Sequence, residues 1–418
     1  MLNLFNSRPG ETVQGVLKNQ AVWFGYAVLC AISILNVSVG FFSHDQIENI
    51  LGAQELLRGQ ALYSEYFTSV APLSYYITAI LRSVTPLVLL PWIFNGLLVL
   101  WALGVRRLLA TVVGTLPSWV VSAAILVALP YVGGQTILIE TFVAVSSCTA
   151  LVLLLRYLAA PTQYSIVRTV VYVGLLAEAC AFSYYAYVPY AVFLIGFNLL
   201  LIFKWAGAGK RWQCIGKFLA TLAVPPIIFG ISLTATRAIN DFFFATYTFN
   251  RDYYTPFVTY PRTILGWFAE GAVNIPRLLW EVSQSFSFSS FKFIALIAPF
   301  IVAVIYLTRR HQWWHVGLFS GTLVFLTVRI MHVIEYTSTS LAVHNHSGPL
   351  VLASLVALGF ALLLVQQHGD ASTVEVRRRH TIVQLLLATF ATISLVTYFW
   401  FSLRSSMSVA QYDPVRTT

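Results

Sequence analysis

Charge is what this chain has least of. Only 10% of its 418 residues are Asp, Glu, Lys or Arg, while 58% are hydrophobic, and a soluble domain of ordinary composition carries about a quarter charged residues. A soluble globular chain and a disordered one are both excluded on that ground. Cysteine is scarce as well. Cys30, Cys148, Cys180 and Cys214 are scattered, with no CxxC spacing, so neither a disulfide framework nor a zinc knuckle is encoded. No large polar domain, low-complexity linker or short repeat interrupts the chain. The net charge of +10 is no nucleic-acid signal, because the basic residues lie at the margins of apolar runs, where anionic headgroups attract them. The polar N-terminal stretch shows no cleavage-site pattern, so the first apolar run reads as an anchor and not as a removable signal.

What the chain does have is long apolar runs. Stretches able to cross about 30 Å of hydrocarbon fall near residues 21–41, 86–105, 112–131, 138–156, 168–185, 186–203, 214–235, 290–308, 313–330, 349–366 and 381–402. They predict an all-α, polytopic membrane protein of about eleven transmembrane helices, with residues 1–418 forming one integral-membrane domain. Residues 72–84 are too short to span and read as a helix packed at the surface. The basic clusters Arg106-Arg107, Lys210-Arg211, Arg309-Arg310 and Arg377-Arg378-Arg379 fall on one side of this arrangement. By the positive-inside rule that side is cytoplasmic, and so is the N-terminus. Residues 42–84 then form the first extracytoplasmic loop and residues 236–289 a larger one, in the inner or plasma membrane of the cell. Most of the acids, among them Asp45, Glu48, Glu55, Glu65, Glu140, Asp241 and Asp252, fall outside. Because acids weigh little in topology, that skew points to work done on the outer face.

The first loop is where chemistry concentrates. It opens with Asp45 and continues as an amphipathic helix, with Ile47, Ile50, Leu51 and Leu57 on one side and Asp45, Glu48 and Glu55 on the other. Such a helix can lie along a membrane surface. Taken alone, the acids also fit a solvated connector. The whole string adds more: an Asp just outside the first span, a helix ending in Leu56-Leu57-Arg58-Gly59, then Leu62-Tyr63-Ser64-Glu65, then Pro72-Leu73-Ser74-Tyr75-Tyr76. This resembles the first extracytoplasmic loop of the GT-C superfamily, the polyprenyl-phosphate-sugar-dependent glycosyltransferases that include protein mannosyltransferases and lipid A aminoarabinose transferases. Asp45-Gln46 stands where many members have Asp-Glu, and Val70-Ala71-Pro72 where many have a Lys-Pro-Pro-like string.

The resemblance implies a GT-C-like fold and an inverting transfer of a sugar from a polyprenyl-phosphate donor to a hydroxyl of a lipid, glycan or protein acceptor, with Asp45 as the catalytic base. Glu48 and Glu65 join it as substrate-binding candidates. Glu140, at the outer start of the fourth span, resembles the second acidic position, which engages the sugar-phosphate or a divalent ion. His344 and His346, two residues apart before the tenth span, resemble a His-bearing outer edge and are candidates for substrate or metal. Arg329 and Arg404 lie where a lipid phosphate would sit, and guanidinium pairs bidentately with phosphate; snorkelling to headgroups accounts for them equally. The residues fix no cofactor. A divalent cation fits the scheme, with Asp45, Glu140 and His346 as its candidate ligands.

The aromatic-rich loop from Arg237 to Phe291 reads as an interfacial belt, or as a lid that stacks on sugar or covers a polyprenyl chain. A secondary transporter or lipid flippase is the alternative function, and Glu178, inside the fifth span, is the acid that would serve it. A polysaccharide ligase or polymerase would rest on a late Arg- and His-rich loop, whereas here the informative loop is the first. The sugar and the acceptor are not written in the residues.

The topology has a direct check. A cysteine placed at Ser64 should react with a membrane-impermeant thiol reagent only from outside the cell, and labelling only from the cytoplasm would invert the assignment.

Overall fold

The structure is a computed structural model that describes residues 27, 30, 44–131, 137–249, 252, 288–334 and 348–361. Among them every named element is helical, and the only strand-like feature is an isolated bridge between Leu62 and Tyr66. Two short helices come first, α1 (His44–Leu57) and α2 (Leu73–Val84). Long ones follow: α3 (Leu90–Val113), α4 (Thr115–Tyr131), α5 (Ile139–Ala159), α6 (Ile166–Ser183), α7 (Val188–Trp205) and α8 (Ala208–Ala235). A short α9 (Ile239–Phe243) leads into a π-turn, and α10 (Phe288–Arg309), α11 (Trp313–Ile334) and α12 (Gly348–Ala361) complete the set.

Five helices are long and apolar enough to cross a membrane: Leu87–Val113, Ile139–Ala159, Ile166–Ser183, Tyr185–Trp205 and Ala208–Ala235. Segments of α4, α10, α11 and α12 are apolar but shorter within the described residues. The chain is thus an all-helical protein built for a bilayer, and nine of the eleven expected spans fall on helices of this set. The expected span at 381–402, nearly all of that at 21–41 and most of the 236–289 loop lie outside the described residues.

Helix ends follow local chemistry. Proline occupies the first turn of α3 and of α7, where its missing N–H has no helical partner to lose. Gly114, at φ +83°, takes a left-handed turn between α3 and α4 that a side chain would strain. The Ser165 hydroxyl caps α6 by accepting from the Arg168 N–H.

The core is apolar and centred on α5, where Leu151, Val152, Leu154 and Leu155 are fully buried. It packs against α3, α6 and α11. Polar groups inside the bundle are used between helices. Trp101 Nε1 donates to Thr149 Oγ1 at 2.9 Å, and Ser122 Oγ to the Ala102 carbonyl at 2.9 Å, as helix packing without a local hydrophobic drive requires.

Successive helices alternate in direction, which sorts charge by end. At one end Trp205 meets Tyr157 and Trp314, their ring centroids 5.9 and 4.9 Å away. The same end holds Arg156 stacked on Tyr164, together with Lys204, Lys210, Arg211, Arg309 and Arg310. The opposite end holds α1, α2 and α9, and with them Glu48, Glu55, Glu65, Glu140 and Asp241. These are the basic end and the loop end.

α2 has 12 residues, about 18 Å of helix at 1.5 Å per residue, too short for the hydrocarbon layer. It packs against α1 and α6 with Ser74, Tyr75, Thr78 and Ala79 buried, so the helix expected for 72–84 is present and packed. α1 departs from its expected pattern. Its buried face holds Gln46, Asn49, Ile50 and Ala53, while Ile47, Leu51 and Leu57 stand exposed. The protein-facing side is part polar because it serves hydrogen bonds, and these three apolar side chains face away from the protein.

α1 and α2 approach closely only because residue 52 is glycine. A Cβ there would run into the Tyr75 ring and stand 3.0 Å from Tyr66 Cε1. Gly52→Val should therefore displace Tyr75 and destabilise the 44–84 segment by about 1–3 kcal/mol, the usual cost of overpacking. Limited proteolysis checks this, as faster cleavage between residues 57 and 73 with the bundle left intact.

Candidate functional site

The site forms where α1, the 58–72 loop and α2 fold onto the loop end of the bundle. Its centre is a chain of hydrogen bonds ending on Glu48. Tyr75 Oη donates to Glu48 Oε1 at 2.7 Å, Thr68 Oγ1 lies 2.8 Å from Tyr75 Oη, and the Val70 N–H donates to Thr68 Oγ1 at 3.1 Å. A tyrosine has one hydroxyl proton. With that proton given to Glu48, Thr68, whose Oγ1 also lies 3.4 Å from Glu48 Oε1, donates at the shorter distance to Tyr75, and the relay runs Val70 to Thr68 to Tyr75 to Glu48. Each donor in such a chain polarises the next. Burial, followed by the neighbouring Glu48 carboxylate, pushes the Tyr75 phenol well above the usual tyrosine range. It therefore remains a donor. Tyr66, beside Glu48 and Glu55, is raised for the same two reasons, burial first.

A second anchor is Tyr63. It is 3% exposed and takes a left-handed backbone at φ +76°, a conformation costing on the order of 1–3 kcal/mol for a bulky residue. Surrounding contacts hold it there. Its hydroxyl donates to the Val70 carbonyl at 3.0 Å, so Tyr185, 3.4 Å away, is the donor between the two phenols. Its ring meets Phe242 edge-on at 5.0 Å and Phe229 at 6.3 Å. The first loop is thereby fastened to α8 and α9, and burial followed by Tyr185 raises the Tyr63 phenol as well.

The third tie reaches the other acid. Asn49 Nδ2 donates to the Ile137 carbonyl at 3.0 Å in a buried bond. Ile137 lies three residues before Glu140, which sits in the first turn of α5 and is 4% exposed. A carboxylate there is favoured by the positive end of the helix dipole. Asp45 lies one turn before Asn49 on the same face of α1, so the backbone brings the segment opening with Asp45 to the start of the helix opening with Glu140.

The remaining sequence-based candidates divide. Glu65 is exposed and closes its own loop, accepting from the Ala61 N–H at 2.7 Å while its own N–H donates to the Ala61 carbonyl. Glu55 pairs with Arg58 at 2.6 Å. The side chains of Asp45 and Arg329, and all of His344, His346 and Arg404, lie outside the described residues. Among the described residues no three His, Cys, Asp or Glu side chains gather to hold a metal ion. Tyr63 and Tyr75 belong to the quoted loop pattern, but their roles follow only from the fold. Asn49 carried no signal at all.

Compared with known proteins, the chain matches no family model, no curated protein and no solved structure.

The Tyr75 relay sets a pH-dependent expectation. Tyr75→Phe should cost about 1 kcal/mol near neutral pH. The Tyr75 phenol is raised in the folded state, so its contribution is complete below the unfolded value of about 10 and declines at higher pH as the unfolded chain ionises first. Detergent-denaturation curves of the two proteins should accordingly converge above that pH, and a gap that widened there would remove Tyr75 from the relay.

Proposed function

We propose that the chain is a membrane glycosyltransferase that moves a sugar from a polyprenyl-phosphate donor to an acceptor hydroxyl on the extracytoplasmic face. The observation that carries this reading is the buried Asn49–Ile137 bond, which holds α1, with Asp45 in its first turn, against the lead-in to Glu140. The resemblance of the 45–76 string to the GT-C first loop supports it. So does the gathering of acids at the loop end; the basic clusters at the opposite end favour a cytoplasmic side there and, with the first apolar run as a span, a cytoplasmic N-terminus.

In this reading Asp45 takes the proton from the acceptor hydroxyl as that oxygen attacks the anomeric carbon. The bond from that carbon to the phosphate oxygen breaks on the opposite face, and the lipid phosphate leaves as an anion. One displacement inverts the anomeric centre. The sugar passes through an oxocarbenium-like state, so positive charge near the departing phosphate lowers the barrier. Arg329 and Arg404 are the candidates for that role, with a divalent cation as the other source of charge. Glu140 engages the sugar-phosphate, and the Glu48 relay holds α1 and α2 in register around it.

A transporter or flippase is the second reading. It is favoured by Glu178, a carboxyl inside the span Ile166–Ser183 that faces a cleft.

Variants separate the two readings in proteoliposomes supplied with polyprenyl-phosphate sugar. Asp45→Asn should lower transfer by about 10²–10⁴-fold, the range for loss of a general base, while the protein stays folded. Glu140→Gln should weaken donor binding, and Glu178→Gln should cause only a modest loss. Near-normal transfer by Asp45→Asn would make Asp45 a surface acid. Loss in Glu178→Gln alone, with substrate crossing unmodified, would favour transport.

A further inference from the structure

We propose that the cleft between α2, α6 and α8 is a binding site for an uncharged glycerolipid with a free hydroxyl, of which diacylglycerol is the simplest. The cleft has a volume of about 430 Å³, within the range of small-molecule sites. Its polar lining is confined to the loop end, where three polar groups stand among the apolar Pro72, Leu73, Ala179, Phe182 and Phe229: Tyr76 on the first turn of α2, Glu178 on α6 and Ser232 on the last turn of α8. Glu178 lies five residues before Ser183 at the end of α6, about 7.5 Å along the axis. Deeper in the bundle the walls are Leu175, Val224, Pro225 and Ile228.

This grading fits an amphiphile lying head to the loop end and chain toward the membrane centre. Leu175 is 43% and Ile228 63% exposed, so the apolar part opens sideways to the lipid. Desolvation chooses the head. Among the described residues no Lys, Arg or His lines the cleft, so a phosphate would be desolvated there without a counter-charge, and an ammonium would give up its hydration for a pair with Glu178 that need not repay it; a hydroxyl meets the carboxyl at neither cost. Among those residues Glu178 also has no ion pair or side-chain hydrogen bond. A carboxyl at this depth is costly unless something bonds to it. A hydroxyl donor supplies that bond, with Ser232 and Tyr76 placed to share it. The site is independent of the transfer reading, since it requires only that a lipid be held.

The experiment is photolabelling of the purified full-length protein in nanodiscs with photoactivatable diacylglycerol, with phosphatidic acid and long-chain alkylamine probes in parallel. Diacylglycerol should label peptides of α6 and α8 about tenfold more than either charged probe, and Glu178→Leu should reduce that labelling about tenfold, the effect of one lost hydrogen bond to a charged group. Ile228→Trp, at an exposed position, fills the apolar half and should abolish labelling while melting normally. It decides the question alone if Glu178→Leu fails to fold. Equal labelling by all three probes, preference for a charged one, or unchanged labelling in Ile228→Trp would each overturn the site. Transfer activity is not the readout, so loss of the glycosyltransferase assignment would leave this result standing, and the converse also holds.

Discussion

One buried hydrogen bond does more than any other contact to make the loop end a site. Asn49 donates to the Ile137 carbonyl, and a backbone carbonyl left without a partner in that setting would cost about 1–3 kcal/mol. The bond is local chemistry with a long reach. It joins a short helix near the start of the chain to the lead-in of α5, the most buried of the five long apolar helices. Without it, α1 would be one more amphipathic helix lying against the membrane, and its first turn would have no fixed relation to Glu140.

The rest of the loop is built to keep that relation. Gly52 lets Tyr75 rest on α1, Tyr75 reaches Glu48, and Thr68 closes the relay back to the backbone at Val70. Tyr63 adds a second fixed point by packing on Phe229 and Phe242. Its left-handed backbone is tolerated because those contacts and its bond to Val70 outweigh the local cost. Rigid support of this kind is what the proposed transfer would need, since small misplacements of reacting groups are costly in rate. Beside it, the cleft carrying Glu178 is apolar for most of its depth, which suits the holding of a lipid chain rather than chemistry.

Much of the architecture was legible from residues alone. The apolar runs corresponding to α3 and to α5 through α8 are long enough that hydropathy decides them, because a backbone in hydrocarbon has to satisfy its own hydrogen bonds and does so as a helix. The shortness of 72–84 was equally plain. The orientation of α1 was not. A pattern of Ile47, Ile50, Leu51 and Leu57 identifies a helix with an apolar side, yet does not say whether that side meets protein or lipid, and in the fold Gln46 and Asn49 are the buried ones.

What the sequence by itself determined is the material and its broad placement: an all-helical membrane chain, charge sorted to the helix ends, and acids concentrated in the first loop. These follow from composition and from periodicity over consecutive residues, which local physics controls. Only the tertiary structure decided the partner of Glu48, which was taken into a relay with Tyr75, whereas Glu55 and Glu65 closed on Arg58 and Ala61, three and four positions away. The same is true of Asn49 and Ile137, separated by 88 positions. Contacts at such separations depend on how whole helices stack and on what a single glycine lets approach, and neither is recorded in any stretch of neighbouring residues.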